Sequence, residues 1–237
     1  MTPYYEQDGV TIYHGDCRDV LTSFPSGFRV DVTVTDPPYG VGLTGKRAVQ
    51  RGQSGHKFRP GTYSFEDTLT YVQRVVVPVV EQCRHISTAV VVTPGTRSLW
   101  AYPPADEMGC FFSAAGTGVG RWGFTCAQPI LYYGADPYLA AGLGARANSH
   151  GQTYPNSANT IDHPCAKPLP MWRWLVGRCA LEGMTVFDPF MGSGTTLVAA
   201  KDQGCHAIGI ELEERYCEIA AKRLSQSVLP LWDEAAV

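Results

Sequence analysis

Residues 184–211 constrain the fold more than any other stretch of the chain. Met184-Thr185-Val186-Phe187-Asp188 reads as a buried strand, and Gly192-Ser193-Gly194 as a tight turn behind it. Residues 195–203 have helical character and stop at Gly204, a residue suited to leaving a helix. Residues 205–210 form a second strand that finishes on Glu211. Strands also alternate with helices at the other end of the chain. Residues 10–13 and 30–35 read as strands, and 17–24 as a helix with Asp16 as N-cap. Such alternation predicts an α/β fold: a mostly parallel sheet with helices on both faces. Ligands of such sheets bind at the carboxyl ends of the strands.

The middle of the chain is less regular. Apolar spacing predicts a helix over residues 65–83, kinked or weakened at Pro78. Residues 88–93 form a second buried strand, closed by Pro94-Gly95. Residues 122–124 and 129–133 are weaker strand candidates, and 171–181 a further helix. Residues 40–64 and 134–162 lack apolar pattern and read as long loops. The 237 residues, with no internal repeat, suit one domain, 1–237.

Composition narrows the classes. The chain is 44% hydrophobic and 17% charged, ordinary for a globular protein. No apolar run is long enough to span a bilayer, and the first residues do not resemble a signal peptide, so a cytoplasmic protein is expected, with no membrane partner. The eight cysteines are scattered without a C-x-x-C pair, which predicts reduced thiols and no metal site. A net charge of −3 excludes holding nucleic acid by bulk charge, so any such binding needs a local basic surface.

Two segments carry chemistry. In the first, Gly192 and Gly194 let backbone pass close to a ligand, and the helix starting at Thr195 offers unpaired N–H groups. Glu211 stands where an acid meets a ribose diol in nucleotide-binding folds. A simple tight turn and a surface acid would leave the same residues. In the second, Asp36-Pro37-Pro38-Tyr39 ends the strand 30–35. Two prolines give a rigid turn with no donor, presenting the Asp36 carboxylate and the Pro37 carbonyl as acceptors. Two acceptors in one pocket suit an amino group, and Tyr39 offers a flat face for a ring. A strand-terminating turn is the simpler reading of those residues. Gly118-Val119-Gly120-Arg121-Trp122-Gly123 matches G-x-G-x-x-G, but no strand leads into it and no helix follows, so it reads as a loop and not as a dinucleotide site.

Taken in order, these motifs resemble the β group of amino-methylating DNA methyltransferases, in which the catalytic motif precedes the cofactor motif. Asp36-Pro37-Pro38-Tyr39 and Asp188-Pro189-Phe190-Met191-Gly192-Ser193-Gly194-Thr195-Thr196 carry the resemblance. His163-Pro164-Cys165-Ala166-Lys167-Pro168 is similar to the family's H-P-x-x-K-P segment, and His14-Gly15-Asp16-Cys17 to its G-D-[CA] segment. Residues 129–133 are similar to a weaker motif. The resemblance implies a Rossmann-like sheet with circularly permuted motif order, S-adenosylmethionine as cofactor, and duplex DNA as partner with one base flipped out. Asp36, Pro37, Pro38 and Tyr39 would be catalytic, with the amino group held by Asp36 and the Pro37 carbonyl and the base stacked on Tyr39. Asp188, Phe190, Gly192, Ser193, Gly194 and Thr195 would line the cofactor. Glu211 would bind its ribose, Asp16 and Cys17 its adenine end, and Lys167 and Pro168 would border its amino-acid end. Asp at position 36 favours N6 of adenine, where cytosine-N4 members usually carry Ser.

Lys46, Arg47, Arg51, His56, Lys57 and Arg59 follow the catalytic turn, and no acid interrupts residues 40–64. This basic loop is expected to hold phosphates; a solvated charge cluster is the plainer alternative. Residues 134–162 are short for a target-recognition region. Either the recognition sequence is short, or dimerisation completes the DNA surface. Arg146, Asn148, His150, Gln152 and Asn156 are candidates for reading base edges there. Competing readings are the same chemistry on cytosine N4, the same fold acting on RNA, a non-catalytic nucleic-acid-binding protein, and a nicotinamide dehydrogenase suggested only by the glycine run at 118–123.

Overall fold

A computed structural model describes residues 1–42, 66–114, 119–151 and 167–226. Its strands are β1 (Tyr5–Gln7), β2 (Val10–His14), β3 (Val30–Thr35), β4 (Ser87–Val92), β5 (Glu107–Phe112), β6 (Val119–Gly120), β7 (Gly123–Phe124), β8 (Ala127–Gly134), β9 (His150–Gly151), β10 (Thr185–Asp188) and β11 (His206–Glu211). Nine of them form one sheet, in the order β1-β2-β11-β10-β3-β4-β8-β5-β9. The run β2-β11-β10-β3-β4 is parallel throughout. Beyond it β8 runs antiparallel to both β4 and β5. β6 and β7 pair only with each other, as a small hairpin.

The helices are α1 (Cys17–Ser23), α2 (Leu69–Tyr71, Val72–Val76 and Val77–Ile86 in continuous succession), α3 (Gly95–Ser98), α4 (Pro137–Ala140), α5 (Leu169–Cys179), α6 (Thr195–Lys201) and α7 (Glu214–Ser225). Successive side chains of a strand point to opposite faces. Ala89 and Val91 of β4, Ile130 of β8 and Val186 of β10 therefore enter one core, with Trp172 and Leu175 of α5, Leu197 of α6 and Ala220 of α7. Val90, Val92, Leu131 and Phe187, their neighbours in sequence, enter the other, with Val20 of α1 and Val76, Val79 and Val80 of α2. Both faces are covered, which is why the central strands read as continuous apolar runs.

Several predicted boundaries shift. The helix expected over 65–83 begins at Leu69, capped by the Thr68 hydroxyl, and runs to Ile86. Pro78 does not break it. Proline has no N–H for the carbonyl four residues back and its ring would strike that carbonyl. The preceding turn, Val72–Val76, widens to a π-helix instead, with the Val77 N–H reaching the Val72 carbonyl. The region 134–162 is not bare loop: α4 and β9 lie within its described part. Residues 118–123 open no helix. Their described part belongs to the β6–β7 hairpin.

Candidate active site

The parallel strands end on one rim of the sheet, and each delivers a segment there. β3 delivers Asp36-Pro37-Pro38-Tyr39 and β10 the glycine turn. Residues 186–187 of β10 pair with 32–33 of β3, so two motifs some 150 positions apart in sequence become neighbours. β11 brings Glu211 and β2 brings Asp16.

Asp188 joins the two central strands. It is 1% exposed and accepts hydrogen bonds from the Thr35 hydroxyl (2.6 Å), the Thr196 hydroxyl (2.6 Å) and the Phe190 N–H (3.0 Å). Trp172 Nε1 in turn donates to the Thr196 hydroxyl at 2.8 Å. Burial pushes the Asp188 carboxyl up to about 6, against the hydrogen bonds that favour its charged form. Expected among the cofactor-lining residues, Asp188 spends its acceptors inside the protein and fixes the turn that follows it.

That turn is tight. Gly192 has φ +52° and Gly194 φ +76°, backbone that side chains rarely adopt, and a Cβ on Gly194 would lie 2.7 Å from the Ala220 side chain. Arg223 of α7 donates to the Ser193 carbonyl at 2.5 Å and to the Thr195 hydroxyl at 3.2 Å. Ser193 and Thr195 are themselves buried, and Phe190 is half-buried beside them. Glu211 accepts from the Gly192 N–H (3.0 Å) and the Glu213 N–H (2.8 Å), so both carboxylate oxygens are fixed in direction. No cation pairs with it among the described residues, and burial pushes its carboxyl up to about 7. An acceptor pair so held, with lone pairs to spare, suits a vicinal diol.

Asp16 caps α1 through the Arg18 N–H (2.9 Å), and its other oxygen pairs with the Arg18 guanidinium at 2.5 Å, which holds the carboxyl below its ordinary value. Cys17 is buried, which pushes its thiol up to about 12 and leaves it inert.

At the turn after β3 the Asp36 carboxylate accepts from the Tyr39 hydroxyl, from the Thr93 hydroxyl at 2.5 Å, and from Lys167 Nζ at 2.9 and 3.0 Å. The Tyr39 hydroxyl also accepts from Gln128 Nε2 and from Lys167 Nζ, each at 2.5 Å. Gly95 backs the Tyr39 ring so closely that a Cβ there would lie 2.7 Å from it. Lys167 thus sits on the Asp36 carboxylate; the resemblance expects it at the border of the cofactor's amino-acid end. Pro168, next to it, is the N-cap of α5. Buried Asp67 receives the N–H groups of Gly40 (2.7 Å) and Val41 (3.3 Å) and pins the chain as it leaves the turn. The hydroxyl of buried Tyr102 finds no hydrogen-bond partner among the described residues.

Thr93, Gln128 and Asp67 escaped the sequence reading. Only Thr93 carried a signal, since it directly follows β4, whose last residue Val92 pairs with Thr35 at the end of β3; the Thr93 N–H bonds the Thr35 carbonyl at 3.1 Å. Lys46, Arg47, Arg51, His56, Lys57 and Arg59 lie outside the described residues, as do Gln152, Asn156 and His163 to Ala166. The other candidate base readers are taken by the protein itself. Arg146 donates to the Gly177 carbonyl at 2.5 Å, Asn148 to the Glu107 carboxylate, and His150 stacks on Trp174 with ring centroids 4.8 Å apart.

The N6/N4 family described as DNA methylase matches residues 99–222, more than half of the chain. The chain belongs to this family. The match takes in the glycine turn and residues 163–168 but lies beyond the Asp36 turn. The methylase is also similar to the type II methyltransferase M.ScaI of Streptomyces caespitosus, with 26% identity over 97% of this chain and 86% of that protein. Among solved structures it resembles the M1.HpyAVI–SAM complex, with a TM-score of 0.61 at 19% identity over 91% of this chain and 99% of the other. It also resembles the PvuII cytosine-N4-specific DNA methyltransferase, with a TM-score of 0.66 at 16% identity over 96% and 90%. Those two likenesses bear on the fold, which is the Rossmann-like sheet of such enzymes. The methylase is therefore an amino-methylating DNA methyltransferase. No helix among its described residues is long and apolar enough to cross a membrane.

Proposed function

We propose that this methylase transfers a methyl group from S-adenosylmethionine to N6 of an adenine flipped out of duplex DNA. The observation that carries the proposal is the pairing of β3 with β10, which sets the Asp36 turn beside the glycine turn. S-adenosylmethionine supplies an electrophilic methyl on a sulfonium. The chain's residues fit it: Gly192 to Thr195 leave room for close approach, Phe190 flanks them, and the Glu211 carboxylate offers acceptors for the ribose diol. Proteins of like fold have been solved with this ligand bound, M1.HpyAVI and a Thermus thermophilus protein among them.

The residues of the catalytic turn act on the amino group. Its lone pair is delocalised into the ring. Asp36 and the Pro37 carbonyl accept its two hydrogens, which favours a tetrahedral nitrogen and localises the lone pair where positive charge develops. Lys167 withdraws from Asp36 to admit the amino group, and Thr93 keeps the carboxylate aimed meanwhile. Asp36 then accepts the proton that the methylated nitrogen sheds. Tyr39, backed by Gly95 and tied by its hydroxyl, offers its ring to the base. The basic residues Lys46, Arg47, Arg51, Lys57 and Arg59 hold phosphates. A short recognition region is consistent with a short target sequence or with a homodimer.

A second reading keeps every step and replaces adenine with cytosine, whose N4 amino group presents the same two hydrogens; PvuII methyltransferase, of like fold, is named cytosine-N4-specific. The test incubates the protein with S-adenosylmethionine and unmethylated duplex DNA, digests the DNA and identifies methylated nucleosides by mass spectrometry. N6-methyladenine is expected. Asp36→Ala should reduce it by about 100-fold or more while S-adenosylhomocysteine still binds. N4-methylcytosine in its place overturns the base assignment, and full activity in Asp36→Ala overturns the mechanism.

A further inference from the structure

β5 and β8 form an antiparallel pair whose open end lies on the catalytic rim. The register runs from Glu107 opposite Tyr132 to Phe112 opposite Ala127, and the Ser113 N–H still bonds the Cys126 carbonyl at 2.7 Å. One residue into β8, Gln128 holds the Tyr39 hydroxyl. Beyond the rim the chain continues as the β6–β7 hairpin, with Arg121 and Trp122 at its tip. Trp122 is fully exposed (103%) and Phe124 is 74% exposed. A soluble protein gains nothing by holding an indole in water, and neither core explains this one. Gln128 lies six positions after Trp122, so the Trp122 Cα is at most about 20 Å from that anchor of the catalytic tyrosine. The tip carries a cation in Arg121, and no acid occurs between Glu107 and Asp136. A duplex offers matching chemistry: a phosphate for the guanidinium and a base step for the indole.

We propose that the Arg121-Trp122 tip is a wedge that enters the DNA stack at the position left by the flipped base. The proposal rests on the reading that the target base is extruded. Extrusion leaves a gap between neighbouring base pairs and an orphaned partner base, and filling that gap with a flat apolar ring offsets part of the lost stacking. Trp122 stacks there while Arg121 neutralises a flanking phosphate. The wedge acts only on duplex substrate, because a single strand has no partner base and little stacking to break.

The test measures transfer of radiolabelled methyl from S-adenosylmethionine into the single-stranded and the duplex form of one phage DNA. Trp122→Ala should lower transfer into duplex about tenfold or more and leave transfer into the single strand within twofold. Trp122→Phe, which keeps a ring, should restore most of the duplex activity. Met108→Ala, which removes an exposed apolar side chain at the far end of the same strand pair, should change neither. Quenching of indole fluorescence on adding duplex should be lost in Trp122→Phe. Equal losses on both DNA forms, or no loss on duplex, would overturn the wedge. No transfer by the unaltered protein to either form would refute the DNA-methylation reading itself and the wedge with it.

Discussion

With the ribose diol on Glu211, as proposed, cofactor binding should depend on pH. The Glu211 carboxyl is pushed up to about 7 because burial outweighs its two backbone hydrogen bonds and no cation among the described residues offsets its charge. A ribose diol donates two hydrogen bonds and so binds the ionised form better. With a midpoint near 7, about a tenth of the carboxyl is ionised at pH 6 and about nine-tenths at pH 8, so affinity should rise roughly tenfold between them. Calorimetric titration with S-adenosylhomocysteine, which keeps the ribose, measures this directly. At pH 7 about half a proton should leave the protein per molecule bound, seen by repeating the titration in buffers of different ionisation enthalpy. Glu211→Gln should weaken binding at pH 8 and abolish both the pH slope and the proton release. Stability of the empty protein runs the other way. A carboxyl raised from 4.5 to about 7 contributes stability that is fully present below pH 4.5 and is lost as pH rises through about 7. A wild-type affinity flat from pH 6 to 8, or a slope that survives in Glu211→Gln, would refute the assignment of the diol to this acid.

Thr196→Val strips a donor from buried Asp188 and an acceptor from Trp172 at once. It should cost about 2–4 kcal/mol in urea unfolding at pH 8. The loss should shrink below pH 6, where Asp188 carries its own proton; a loss under 1 kcal/mol at pH 8 would mean the link from Asp188 through Thr196 to Trp172 is dispensable. Replacing Lys46, Arg47 and Arg51 together with Ala should flatten the slope of log affinity for duplex DNA against log salt by about 2–3, and an unchanged slope would remove those residues from the phosphate contacts.

The fold was most legible where local and tertiary preferences agree. The β-branched run of β3 ends at the residue the prolines demand. The β10–α6–β11 unit carries its turn glycines and closing Gly204 in plain view, and Asp16 caps α1 as its side chain predicts. β5 was invisible because it lacks that agreement. Of its six residues only Gly109 and Phe111 are buried, and Gly109 is a poor strand former. The glycine is there for a tertiary reason: a Cβ at 109 would lie 1.9 Å from the Asn148 carbonyl. The site divided in the same way. Motif residues announced themselves, but Gln128 and Asp67 serve the Asp36 turn from distant parts of the chain, where no local pattern marks them. Lys167 was legible from its motif, but its pairing with Asp36 was not, because spacing along the chain does not tell which acceptor a flexible lysine will choose.

The reversal of direction at β8 has a consequence for how such an enzyme diversifies. In the parallel strands every rim loop must be followed by a crossover back under the sheet, so lengthening one strains what comes next. β5 and β8 simply go out and return. Residues inserted between Phe112 and Ala127 extend the outgoing and returning arms alike, away from the body, with Gln128 and the tyrosine it holds left in register. The protein has in effect one adjustable arm and one fixed workbench, and changes to the reach of the first need no retooling of the second.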